Sequence, residues 1–192
     1  MTVSAFLDAL GAAGPAADRA GKMDLYGRFV GSWDIDVRQF GEDGTERRRK
    51  GEWHFGWVLE GRAVQDVWIV PARGAQRAGD AAANVNSYGT TLRIFDPRID
   101  AWRVHWFDPV TQNFSHMVGR AEGGDIVQHG TAEDGRLIRW RFLEITAESF
   151  LWRGEISSDQ GTTWRVVTEF RAQIRPLTAA RPTVSPISST SS

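Results

Sequence analysis

The amino-acid sequence predicts an all-β fold: an antiparallel up-and-down barrel of about ten strands, with a short N-terminal helix and a disordered C-terminal tail. Three observations predict it. From Ser32 onward apolar residues recur at every second position, the mark of half-buried strands. The strand-like runs follow one another at short intervals, separated by Gly-containing or Asp-Pro turns. The aromatic content is nine Trp and ten Phe against two Tyr, which suits a barrel interior that rings either fill or line. About ten strands are enough to close a ring and so avoid two exposed edges.

Along the chain, Val3, Phe6, Leu7 and Leu10 share one face of a short helix that Gly11 and Gly14-Pro15 end. MDLYGRFV reads as a helical turn leading into the first strand, SWDIDVRQF, with Trp33, Ile35 and Val37 on one face. A two-residue turn at Glu60-Gly61 sets Trp57 opposite Val64, Phe55 opposite Asp66 and Trp53 opposite Trp68. The stretch from Pro71 to Asn86 is too small and polar to hold a strand, so a loop at 72–86 is expected near the mouth of the barrel, either a mobile surface loop or one that gates the cavity. Strands return as SYGTTLRIF, AWRVHWF, NFSHMVGR, DIVQHGT, RLIRWRFLEI, SFLWRGEIS and TWRVVTEFRAQ. Phe95-Asp96-Pro97 and Phe107-Asp108-Pro109 repeat one turn signal. The expected organisation is a helix and linker at 1–24, a barrel at 25–175 and a disordered tail at 176–192, rich in Pro, Ser and Thr.

Composition excludes several classes of function. A net charge of −1 with scattered charges leaves no footprint for nucleic acid or an anionic membrane, and Arg47-Arg48-Arg49-Lys50 reads as a solvated strand end. Without cysteine there are no disulfides, thiolate metal sites or Cys nucleophiles. With neither a secretory signal nor a membrane-length apolar run, a cytoplasmic location is expected. No phosphate-cradling Gly loop, nucleophile elbow or zinc-protease motif is present. Arg139, Arg141, Arg153, Arg165 and Arg171 alternate outward with Glu155 and Glu169, as a solvated ion-pair ladder would.

The helical turn followed by Gly31-Ser32-Trp33 on the first strand, and then by an up-and-down barrel, resembles the calycin superfamily of lipocalins and fatty-acid-binding proteins. The likeness is greatest to uncharacterised bacterial barrel domains of that superfamily and covers about Leu25 to Gln173. It implies a basic residue over the Trp33 ring, a role open to Arg171 or Arg175. Absence of a signal peptide and of cysteine separates the chain from secreted lipocalins. Ser157-x-Asp159-x-Gly161-x-Thr163-Trp164 is similar to the Asp-box hairpin of sialidases and is expected to be a structural turn.

Alternation places Asp66, Tyr88, Thr90, His116, His129, Glu144 and Thr168 on the inward face, where unpartnered polar groups cost roughly 1 to 3 kcal/mol each. They therefore imply a hydrogen-bonded network or a wet cavity. A turn at Glu122-Gly123 would set His116 opposite His129, both pointing inward beside Phe114, Val118 and Val127. Such a pair has three readings. It is a structural pair; or an acid-base pair, with Asp66 or Glu144 fixing one tautomer, isomerising, dehydrating or decarboxylating an aromatic or polyketide-like acid without a cofactor; or a metal or haem site, since opposed strand positions have Cβ atoms about 5 Å apart. His105 and His54 are expected on the outer face.

The leading functional expectation is an intracellular barrel that binds a small apolar or aromatic molecule in a Trp-lined cavity. Its walls would include Trp57, Trp68, Trp106, Trp140, Trp152 and Phe114, with Tyr88, Thr90 and Thr168 as polar contacts. A structural barrel would instead have its bore filled by its own Trp rings. An unpaired Trp on the outer face would favour a homodimer.

Overall fold

A computed structural model of the chain describes residues 3–73 and 86–176. Ten antiparallel strands close into one barrel: β1 (Gly31–Phe40), β2 (Glu46–Val58), β3 (Ala63–Val70), β4 (Ser87–Asp96), β5 (Ala101–Asp108), β6 (Asn113–Glu122), β7 (Asp125–Thr131), β8 (Leu137–Leu143), β9 (Ser149–Ser157) and β10 (Arg165–Ile174). Each strand pairs with its sequence neighbour, and β1 pairs with β10 to complete the ring. The expected fold class is the observed one. Most of the loop expected at 72–86 (residues 74–85) and the tail from residue 177 lie outside the described residues.

One end of the barrel is plugged by the chain that precedes it. Helix α1 (Val3–Leu10) is joined to the β2–β3 turn by the Leu59 N–H, which donates to the Leu10 carbonyl at 2.9 Å. The helix has the predicted bounds, yet Phe6 and Leu7 of its apolar face are 62% and 54% exposed. Helix α2 (Ala20–Gly27) lies across the opening and sends Met23 and Tyr26 inward, followed by Phe29. Phe29 stacks on Phe142 at 4.6 Å between centroids, and Tyr26 meets Trp102 edge-on at 4.9 Å. Trp33, the Trp of the calycin-like motif, is buried here, donating to the Phe29 carbonyl at 2.7 Å and packing against Phe150 at 4.7 Å. The basic residues expected over its ring go elsewhere: Arg175 pairs with Asp34, and Arg171 lies 3.6 Å from Glu144.

The β2–β3 hairpin has the expected register, with Trp57 opposite Val64, Phe55 opposite Asp66 and Trp53 opposite Trp68, although its turn spans residues 59–62 rather than two residues. On the outer wall of β8 to β10 the ion-pair ladder is formed by Arg139–Glu155 at 2.7 Å and Arg153–Glu169 at 2.9 Å. The Asp-box-like turn closes as expected: Asp159 accepts from the Thr163 N–H and hydroxyl and from Ser157 Oγ, and Gly161 has φ +90°. No helix among the described residues is long and apolar enough to cross a membrane.

The register of β6 and β7 differs from expectation. The turn is Gly123-Gly124, closed by Glu122 opposite Asp125, with Gly123 at φ +63°, a conformation glycine adopts without a Cβ penalty. His116 therefore faces Thr131, and His129 faces Val118. Facing also changes: Met117, Gly119, Ile126 and Gln128 are buried, while His116 and His129 are exposed. The inner wall here carries small or slender residues because large rings approach it from elsewhere. A Cβ on Gly119 would lie 2.3 Å from the Tyr26 hydroxyl, and one on Gly89 of β4 would lie 2.1 Å from the Trp106 ring. The crowding at Gly89 also puts Tyr88 and Thr90 on the outer wall, with Tyr88 40% exposed.

Candidate functional site

Opposite the plug, the barrel opens into a cup of about 630 Å³. Its floor is a cluster of indoles, one each from β3, β5, β8 and β9: Trp68, Trp106, Trp140 and Trp152. Trp68 and Trp106 meet at 4.4 Å between centroids, and Trp140 and Trp152 at 5.2 Å. Phe170 completes the floor at 4.7 Å from both Trp68 and Trp152. Val37, Val70, Ile138 and Ile156 line the wall, so the lower cup is apolar. The bore beneath is filled by rings.

Polar groups gather at the rim and are tied to the floor. Trp68 Nε1–H donates to Ser87 Oγ at 2.6 Å, and Ser87 donates on to Asp108 Oδ2 at 2.6 Å. Asp108 also accepts from the Val110 and Thr111 N–H groups, as the repeated Asp-Pro turn signal suggested, and is 2% exposed. Trp106 Nε1–H donates to Asn113 Oδ1 at 3.1 Å. Fixed in this way, Trp68 and Trp106 present rigid faces to the cup. Val70 and Ser87, which flank the loop expected near the mouth, both line it.

Of the residues anticipated from sequence, the cup brings together Trp68, Trp106, Trp140, Trp152 and Thr168. Trp57 points inward at the plugged end, with its ring against Gly27. Phe114 is 41% exposed on the outer wall beside Phe107. Glu144 lies beyond the end of β8 at φ +50°, its side chain 66% exposed near Arg171, because the strand ends before alternation could carry it inward. Asp66 does point inward, but below the floor, where it pairs with Arg93. The inward pair of His116 and His129 is not formed. His116 instead faces His105 across β5 and β6 on the outer wall, where His105 was expected. Among the described residues no group of three or more His, Cys, Asp or Glu side chains is arranged to hold a metal ion.

Sequence reasoning missed Arg93. Its side chain is 1% exposed, ion-paired to Asp66 and surrounded by Tyr26, Phe55 and Phe142 rings at 5.1, 5.6 and 5.7 Å from its guanidinium carbon. Burial in the same layer pushes the Tyr26 phenol up from its ordinary value. Counting back by twos from Phe95, opposite Trp102, would have found Arg93.

A second polar cluster lies on the outer wall. His54 contacts Ser32 Oγ through Nδ1 at 2.9 Å and Glu52 Oε2 through Nε2 at 3.0 Å, while Arg73 clasps Glu52 at 2.8 and 3.1 Å. Glu52 is 4% exposed, and its carboxylate is lowered to about 2, above all by the hydrogen bonds from Arg73 and against the opposing effect of burial. A depressed carboxylate contributes stability that is present above its ordinary value of 4.5 and is lost as pH falls toward about 2. Glu52→Gln is therefore expected to reduce the loss of stability across that window, measured as urea midpoints at stepped pH. An unchanged acid limb would contradict it.

No family model and no curated protein matches the chain. Among solved structures, it is similar to the S-type phycobiliprotein lyase CPES from Guillardia theta, with a TM-score of 0.53 and 12% identity over 81% of this chain and 93% of that one. The fold is a closed ten-strand antiparallel barrel. At this identity the likeness extends to the fold alone.

Proposed function

We propose that this calycin-like barrel binds a small aromatic or apolar molecule in the indole-floored cup. The observation that carries the proposal is the pairing of an open volume of about 630 Å³ with a floor of four Trp rings. Pockets of this size and lining suit drug-sized guests, and rigid rings lose little entropy when they receive one. A barrel with a purely structural role would have its rings fill the whole bore. The acid-base and metal readings lose their support, since both need His116 and His129 to converge and both imidazoles lie on the outer wall.

Titration with N-phenyl-1-naphthylamine, whose fluorescence rises in apolar surroundings, tests the proposal. A single saturable site with Kd on the order of 10 μM is expected for a ligand of that size. Ser115→Phe, which fills the cup from β6, is expected to weaken binding at least tenfold, while His116→Ala and His129→Ala leave it unchanged. Absence of saturable binding, or binding indifferent to Ser115→Phe, would overturn the proposal.

A further inference from the structure

The indoles of the cup differ in what their N–H groups meet. Trp68 and Trp106 donate to Ser87 and Asn113. Trp152 lines the same cup and is 1% exposed, but its Nε1–H has no hydrogen-bond partner among the described residues. On the adjacent strand Thr168 also lines the cup, and its buried hydroxyl is equally unpartnered. The two residues share one patch of wall: a Cβ placed on Gly154 would lie 2.9 Å from Thr168 Cγ2 and 3.1 Å from Trp152 Cη2. Buried donors in folded proteins nearly always find an acceptor. The neighbouring Trp68 ring, perpendicular at 5.5 Å between centroids, offers Trp152 only a π face, a weaker acceptor than an oxygen.

Charge narrows the guest further. Asp108, Glu133 and Asp134 line the cup against one guanidinium, that of Arg136. Arg136 is held by Asp134 at 2.6 Å and lies 3.5 Å from Glu42, and Asp108 already accepts from Ser87 and two backbone N–H groups. Among the described residues that line the cup, an anionic guest would meet net negative charge and a single guanidinium already paired with carboxylates.

We infer that the cup selects a neutral, planar aromatic molecule bearing a carbonyl-type oxygen, and that Trp152 Nε1–H and Thr168 Oγ–H donate to that oxygen. The inference rests on the binding function proposed above and adds the chemistry of the guest. A carbonyl oxygen has two lone pairs and serves both donors. Small rearrangements of the Trp152 ring and Thr168 rotamer bring the donors to the cup surface as the guest enters.

A matched pair of probes tests this. 2-Acetylnaphthalene and 2-isopropenylnaphthalene have the same ring and nearly the same shape, and only the first carries an acceptor. Quenching of Trp fluorescence is expected to show the ketone binding about tenfold more tightly to the wild-type protein, one hydrogen bond's worth of discrimination. Thr168→Val and Trp152→Phe are each expected to bring the ratio of ketone to hydrocarbon affinity toward one, and 2-naphthoate is expected to bind at least tenfold more weakly than the ketone. Equal binding of ketone and hydrocarbon by the wild type, or tighter binding of the naphthoate, would overturn the inference and leave the cup a binding site. Saturable binding of none of the three would overturn the binding function itself.

Discussion

Asp66→Ala is expected to lower the free energy of unfolding by about 3–5 kcal/mol, because it leaves a buried guanidinium without its counter-charge. Arg93 cannot reach water: its side chain is 1% exposed, and its remaining neighbours include the Tyr26, Phe55 and Phe142 rings, whose faces attract a cation but do not replace a carboxylate. Its Nε and Nη2 already lack partners, and Asp66 also accepts the Thr91 N–H at 3.0 Å, so the substitution removes two interactions in the layer below the cup. The double variant Asp66→Leu/Arg93→Met is expected to regain most of the loss, since an apolar pair of similar volume has no desolvation to offset. Urea denaturation of the two single variants and the double completes a mutant cycle. A loss below about 1 kcal/mol for Asp66→Ala would show that Arg93 is solvated and the layer is wet.

Phe29→Ala is expected to cost about 3–5 kcal/mol as well, through a cavity rather than a charge. Phe29 is 1% exposed and touches Phe142, Phe150 and Phe55 at 4.6, 4.8 and 5.7 Å between centroids, so it joins the plug to three strands of the barrel. The surrounding rings belong to a closed sheet that cannot collapse into the vacated space, which places the expected loss high in the range. Benzene added to the variant is expected to raise its melting temperature and leave the wild type unchanged, as occupation of an apolar cavity stabilises the folded state by mass action. Naphthylamine binding at the cup is expected to survive in the folded variant, since the two ends are separated by the indole floor. A loss under about 1.5 kcal/mol would mean that the plug is loosely seated.

These two residues also show which parts of the molecule were legible in the sequence. The strands were legible because Trp33, Ile35 and Val37, or Trp53 and Phe55, alternate against polar neighbours, and because Trp53 opposite Trp68 makes the register of the β2–β3 hairpin self-consistent. The facing of β4, β6 and β7 was not, because apolar side chains there stand outside and small or polar ones inside. Phe114 and Val118 mark the outer wall, whereas Gly89, Gly119, Gln128 and Arg93 form the inner one. Rings from the plug and from neighbouring strands need that room, and a strand's own residues do not show what will lie across the bore. Trp is the better guide in this chain. Trp102, Trp106 and Trp140 all point inward, and counting outward from them recovers the true register, including the placement of His116 and His129 on the outer wall.

The seam between β1 and β10 also governs how the chain must be made. Trp33 on β1 acquires its β10 neighbour only when Ile174 arrives, and Asp34 meets Arg175 across 141 positions of sequence. Until β10 emerges from the ribosome, the other nine strands form at best a curved sheet with two unpaired margins and a line of exposed aromatic residues. Contacts this distant along the chain are slow to form, and the interval before they do is when such a sheet is most prone to associate with another like itself. Before β10 arrives that last margin is β9, whose outer face carries Arg153 and Glu155, and charge on an edge strand disfavours pairing with another sheet.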